Sequence, residues 1–242
     1  MDFIERPSPN FDERTLPVSM IVLHYTGMPD AEGALDRLTS PEAKVSCHYL
    51  VDEDGSVFRL VDESKRAWHA GKSRWRGVTD VNSASVGIEI VNPGHEHGYR
   101  DFPQAQIEAV IALCRDIATR QTIPPARVLG HSDVAPGRKE DPGERFPWDR
   151  LAAAGVGLWV EPPPAGNEAL APAQRGEDIT MLQTMLAKFG YDADLTGVYD
   201  DKTRDIVTAF QRHFRPARVD GIADRSTVET LRRLLTASSA LA

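Results

Sequence analysis

Two cysteines in 242 residues, Cys47 and Cys114, are too few for a disulfide framework and too far apart for a Cys-x-x-Cys metal or redox pair. Cys47 falls in an alternating strand pattern and Cys114 in an apolar helical stripe. Both are therefore expected as buried free thiols. No apolar run reaches the roughly eighteen residues that a membrane-spanning helix needs. Positive charge is also scarce: 28 Lys and Arg stand against 36 Asp and Glu, a net charge of −8. That excludes non-specific binding of nucleic acid through a basic face. Residues 1–10 carry no basic stretch followed by an apolar segment and a small-residue cleavage site. A cytoplasmic protein is expected from this, or a periplasmic one if a leader precedes the sequence given. His-Glu-x-x-His does not occur, so a zinc peptidase of that kind has no support.

Chemistry concentrates in a loop after a short apolar strand, residues 127–129. Residues 130–143 read Gly-His-Ser-Asp-Val-Ala-Pro-Gly-Arg-Lys-Glu-Asp-Pro-Gly. A strand running into a Gly- and Pro-rich loop is a rigid mount for reactive side chains. Imidazole and carboxylate are ordinary zinc ligands, and three protein ligands leave one position open for water. His131 and Asp141 supply two candidates, and a third has to come from elsewhere. His24 is that candidate, at the C-terminal end of the apolar strand that begins at Met20, just before a Thr-Gly break. Taken alone, either histidine reads as well as a core residue bonded to a carbonyl.

The remaining pattern alternates strands and helices. Residues 30–38 have helical spacing. Residues 47–51 and 57–61 read as strands joined by an Asp-Gly hairpin turn. His48 in the first of them is read as structural. In residues 85–92, Val86, Ile88 and Ile90 share one strand face, and Gly87, Glu89 and Val91 the other. A carboxylate in the middle of an apolar strand is costly unless it is paired or lines a polar cavity. An edge strand with Glu89 in solvent is the plainer alternative. A helix follows over about 104–120, with Ile107, Val110, Ile111, Cys114 and Ile117 as its core stripe. His95 and His97, between Gly94 and Gly98, read as an exposed loop.

Five runs now stand in order: Ile21 to Gly27, Val45 to Val51, Ala67 to Gly71, Ser85 to Asn92 and Gly130 to Gly143. Together they resemble the zinc-dependent type 2 N-acetylmuramoyl-L-alanine amidases, the AmpD/AmiD-like group, over roughly residues 18–160. That group is related to T7-type lysozyme and the peptidoglycan recognition proteins. The resemblance implies an α/β fold with a mixed central sheet flanked by helices. It implies one Zn2+ per chain held by His24, His131 and Asp141, with Glu89 as general base and then proton donor. Lys139 would stabilise the oxyanion. Trp68, His69, Arg74, Trp75, Arg76 and Asn82 become expected substrate-binding residues along the groove. The bond cut would join the lactyl group of MurNAc or 1,6-anhydroMurNAc to L-Ala, with muropeptides or murein as partners of a monomeric enzyme. A non-catalytic peptidoglycan recognition protein is the alternative.

Residues 161–175 shift to Pro and Ala and read as a semi-rigid linker between a catalytic domain (1–160) and a helical domain (176–237). Residues 195–203 and 219–227 are an internal repeat, each a Gly turn followed by an Asp N-cap and an amphipathic helix. With the helix over 179–191 they make a small all-α three-helix unit. It is similar to the type 1 peptidoglycan-binding domain, although the first copy has Thr196-Gly197 where Asp-Gly is usual.

Overall fold

The computed structural model describes residues 2–166 and 169–240. In chain order the elements are β1 (Ile4–Glu5), β2 (Phe11–Glu13), β3 (Met20–Tyr25), α1 (Ala31–Thr39), β4 (Tyr49–Val51), β5 (Val57–Arg59) and β6 (Lys65–Ala67). Next come α2 (Val81–Ala84), β7 (Ser85–Ile90), α3 (Gln104–Gln121), β8 (Val128–Gly130), α4 (His131–Val134) and α5 (Trp148–Ala153). The C-terminal part contains β9 (Ala169–Leu170), α6 (Glu177–Phe189), α7 (Asp201–Phe214), β10 (Ala223–Asp224) and α8 (Arg225–Ala240).

Six strands form one mixed sheet in the order β1-β5-β4-β7-β3-β8. β4, β7, β3 and β8 are mutually parallel, while β5 runs antiparallel to β4 through the Asp-Gly turn. Strands buried on both faces read as continuous apolar runs, and β3 is such a strand. Ile21 and Leu23 point to one face with Val86, Ile88 and Ile90. There they meet the α3 stripe of Ile107, Val110, Leu113, Cys114 and Ile117. Cys47 and Cys114 are both free and buried.

Met20 and Val22 point to the other face, and what covers them was not legible in advance. They join Trp75, Val81, Leu129 and Val134 in a core shared with Ile179, Leu186, Phe189, Tyr191, Phe210 and Phe214 of the C-terminal helices. The helical unit is thus packed on the sheet as a second layer. The Pro/Ala-rich stretch lies along that unit: β9 pairs with β10, and Pro163 accepts a hydrogen bond from Ser226 at 2.5 Å. Asn167 and Glu168 of the expected linker lie outside the described residues.

The sequence repeat is a repeat of hydrogen bonds. Gln183, fully buried, donates to Val198 O and Thr203 Oγ1 and accepts from Gly197 N. Gln211 does the same with Ile222 O, Thr227 Oγ1 and Gly221 N. Each Gly turn has a positive φ, 67° and 69°. Asp200 and Asp224 then cap the following helices through Thr203 N and Thr227 N.

Candidate metal centre and cleft

The sheet register builds the site. His24 on β3 lies directly opposite Glu89 on β7, and β8 ends at Gly130, one residue before His131, beside Leu23. Three parallel strands therefore deliver their functional side chains at their carboxyl ends, where open α/β sheets place ligands. The loop after β8 is folded back by a bond from Ser132 N to Asp141 O of 2.9 Å. That return brings Asp141 beside His131 despite the nine residues between them.

His24 Nδ1, His131 Nδ1 and Asp141 Oδ2 are each 2.9 Å from the other two. All three residues are buried, and they are the metal-capable cluster among the described residues. His131 Nε2 faces Ala70 O at 3.0 Å. A carbonyl only accepts, so the His131 proton sits on Nε2 and its Nδ1 offers a lone pair. Burial, with the neighbouring His131, holds His24 down to about 4, in the neutral form that ligates. Burial pushes the Asp141 carboxyl up, but the two imidazoles beside it more than reverse this, so it stays ionised. Converging lone pairs and a carboxylate repel one another unless a cation lies among them. The arrangement fits a divalent metal with nitrogen and oxygen ligands.

Glu89 opens to the same cleft. Burial pushes its carboxyl well above the usual range, and the charge of Asp141 adds to this while Lys139 opposes it. Its Oε2 is buried with no hydrogen-bond partner among the described residues. The cleft measures about 820 Å3 and includes Trp68, His69, Glu89, Arg138 and Lys139. Its far wall is built by the C-terminal unit: Arg204, Thr208 and Arg212 of α7, then Val219 and Asp220.

A family model described as N-acetylmuramoyl-L-alanine amidase matches residues 14–144. The chain belongs to this amidase family. A second model, for a peptidoglycan binding domain, matches residues 175–231. The N-acetylmuramoyl-L-alanine amidase AmiD of Escherichia coli (strain K12) is 38% identical over 237 residues, covering 90% of this chain and 82% of the relative. The 1,6-anhydro-N-acetylmuramyl-L-alanine amidase AmpD of Haemophilus influenzae is 32% identical over 167 residues, covering 61% of this chain and 89% of the relative. Among solved structures, E. coli AmiD in complex with the substrate anhydro-N-acetylmuramic acid-L-Ala-D-γ-Glu-L-Lys superposes with a TM-score of 0.78 at 36% identity. It covers 93% of this chain and 92% of its own. AmpDh3 of Pseudomonas aeruginosa in complex with anhydromuramic pentapeptide gives 0.77 at 32%, covering 91% and 92%.

Within this amidase fold the six expected groove residues part company. Trp68 and His69 line the cleft. Trp75 does not: it is fully buried, edge-on to Phe189 and Tyr191 under the C-terminal helices. The correction has a physical reason, since an indole beside a sheet face with an apolar partner layer gains more from burial than from exposure. Arg74 is also turned away, paired with Asp192 at 3.1 Å. Arg76 is exposed, and its backbone N donates to Gly190 O. Asn82 is buried and accepts from the backbone N of both His69 and Ala70, so it shapes the loop from behind. His48 accepts from Gly87 N at 2.9 Å through Nδ1 and is structural, as read from sequence. His95, expected as loop surface, is half-buried against Tyr25 and Tyr99 at the cleft edge. His97 is exposed.

Sequence reasoning missed Asp133. It is fully buried two residues after His131. It accepts from Gly130 N at 2.8 Å, from Tyr191 Oη at 2.6 Å, and pairs with His213 Nδ1 at 2.6 Å. His213 is itself stacked between Trp148 and Phe214. The C-terminal unit thus holds the segment that carries the candidate metal ligand His131. Only an Asp in a strongly polar loop marked it in the sequence, and that signal has no specificity.

Proposed function

We propose that this chain hydrolyses the amide bond between the lactyl group of MurNAc, or 1,6-anhydroMurNAc, and the L-alanine of a stem peptide, using one Zn2+ per chain. The observation that carries the reading is the convergence of His24, His131 and Asp141 with Glu89 in register beside His24. The names and bound ligands of the relatives support this substrate class.

Bound zinc would polarise the scissile carbonyl and acidify a water. Glu89 takes the proton of the attacking water and returns it to the leaving nitrogen, a double role served by its raised affinity for protons. Lys139 carries a positive charge into the same cleft and stabilises the negative charge that develops on the carbonyl oxygen.

Soluble anhydro-muropeptide is our preferred substrate, with a cytoplasmic location to match. Polymeric murein would place the enzyme outside the cytosol, and fractionation of the native host decides between them. The direct experiment is mass spectrometry of anhydroMurNAc-peptide and of sacculi after incubation with the protein, with and without chelator. Free stem peptide that disappears with chelator is the expected result. Glu89→Gln should keep its zinc and lose about 10²-fold or more in kcat. Binding to sacculi without any cleavage would favour a recognition protein instead.

A further inference from the structure

His24 makes a second contact that the metal reading leaves unexplained. Its Nε2 lies 3.0 Å from His69 Nδ1. His69 Nε2 in turn lies 3.2 Å from Ser85 Oγ, and Ser85 Oγ is 2.6 Å from Val81 O. The direction of the whole chain follows from its far end. Val81 O can only accept, so the single hydroxyl proton of Ser85 goes to it. Ser85 Oγ then accepts, which places the proton of neutral His69 on Nε2 and leaves Nδ1 as an acceptor. That acceptor requires the proton of His24 on Nε2. His24 Nδ1 is left with a lone pair aimed at His131 and Asp141. The metal end demands the same tautomer independently, so both ends of the chain agree.

We propose that His69, anchored by Ser85, is a positioning residue that fixes the tautomer and ring orientation of the metal ligand His24. Metal-bound imidazoles commonly give their second N–H to a carboxylate, a carbonyl or water. His131 follows that habit with Ala70 O, whereas His24 uses a second histidine. Two further features belong to the same device. A Cβ at Gly87 would stand 2.4 Å from His69 Cγ, so the strand across from the ring has no side chain there. Asn82 Oδ1 holds the backbone N of His69 at 3.0 Å, which fixes where the ring starts. Gly87 has no positive φ to explain it, and the ring of His69 does.

The proposal rests on the metal site of the preceding reading, and the test separates the two. Zinc affinity is measured by competition with a chromophoric chelator on wild type, His69→Ala, His69→Gln and Ser85→Ala, alongside the visible spectrum of the Co2+-loaded proteins. No zinc binding by wild type sinks the metal site itself. With wild type binding, His69→Ala is expected to weaken affinity by about 10- to 100-fold and to alter the cobalt spectrum. His69→Gln keeps an acceptor oxygen and is expected to recover most of that loss. Ser85→Ala is expected to fall between them. Wild-type affinity in a folded His69→Ala overturns the proposal, as does a loss in His69→Gln equal to that in His69→Ala. If His69→Ala does not fold by circular dichroism, Ser85→Ala carries the test, and unchanged zinc affinity there overturns it.

Discussion

At the scale of single residues, four histidines in one small volume do different work because each has a different partner. His24 and His131 keep Nδ1 free for a cation, His69 faces His24, and His48 is locked into the sheet. His48 offers its Nδ1 lone pair to Gly87 N, and protonation would break that bond. Burial, helped by the nearby Arg14, holds His48 down to about 4. Its folded pKa is thus below the ordinary value near 6.5, so its contribution to stability is complete above that pH. The contribution is lost as pH falls from 6.5 toward 4, at up to about 1.4 kcal/mol per pH unit. Urea unfolding at pH 7.5 and pH 5 should show this drop in wild type and a smaller one in His48→Gln. Equal pH dependence in the two proteins would remove His48 from the account.

At the scale of elements, the sheet was legible because its strands carry period-two or continuous apolar runs, and α3 because its stripe has helical spacing. Strand ends were less so: the expected 47–51 and 57–61 are found as Tyr49–Val51 and Val57–Arg59. His48 precedes β4 yet keeps backbone bonds to Gly87 O and Leu60 N. The turn after α6 could not be assigned to a role from sequence. Gly190 has φ 149°, and a Cβ there would stand 2.5 Å from the Trp75 indole. Gly190→Ala should therefore cost about 1–3 kcal/mol from overpacking against a side chain that cannot move. Trp75 fluorescence followed through urea unfolding measures it, and a variant as stable as wild type would show that the turn has slack.

At the scale of the whole molecule, the C-terminal unit is part of the amidase layer rather than a tethered passenger. It covers Met20, Val22 and Trp75, supplies a wall of the cleft, and holds Asp133 next to the His131 turn. This sheet face is built to be covered. A chain ended at residue 160 should expose that apolar layer and aggregate or lose zinc, as sedimentation and chelator competition would show. Asp133→Asn in the full chain should cost about 1–3 kcal/mol, because one amide oxygen cannot accept from Gly130 N, Tyr191 Oη and His213 Nδ1 as the two carboxylate oxygens do. A soluble, zinc-competent truncation would mean that the shared core adds packing and nothing to the site.

What this sequence determined by itself was the set of candidates: apolar strands that carry His24 and Glu89 or lead to His131, a polar loop that carries Asp141, and a repeated Gly-turn and Asp-cap signature. Those signals are local, since periodicity, turn residues and ligand types act within a few residues of chain. Only the tertiary structure decided which side chains share the cleft. Trp68 and Trp75 stand seven residues apart in one motif, yet one faces the cleft and the other lies under α6. The covering layer comes from more than a hundred residues further along the chain, and no local pattern encodes where a distant apolar face will land. The same holds for Asp133 and His69, whose roles depend on partners that only the packed molecule brings within 3 Å.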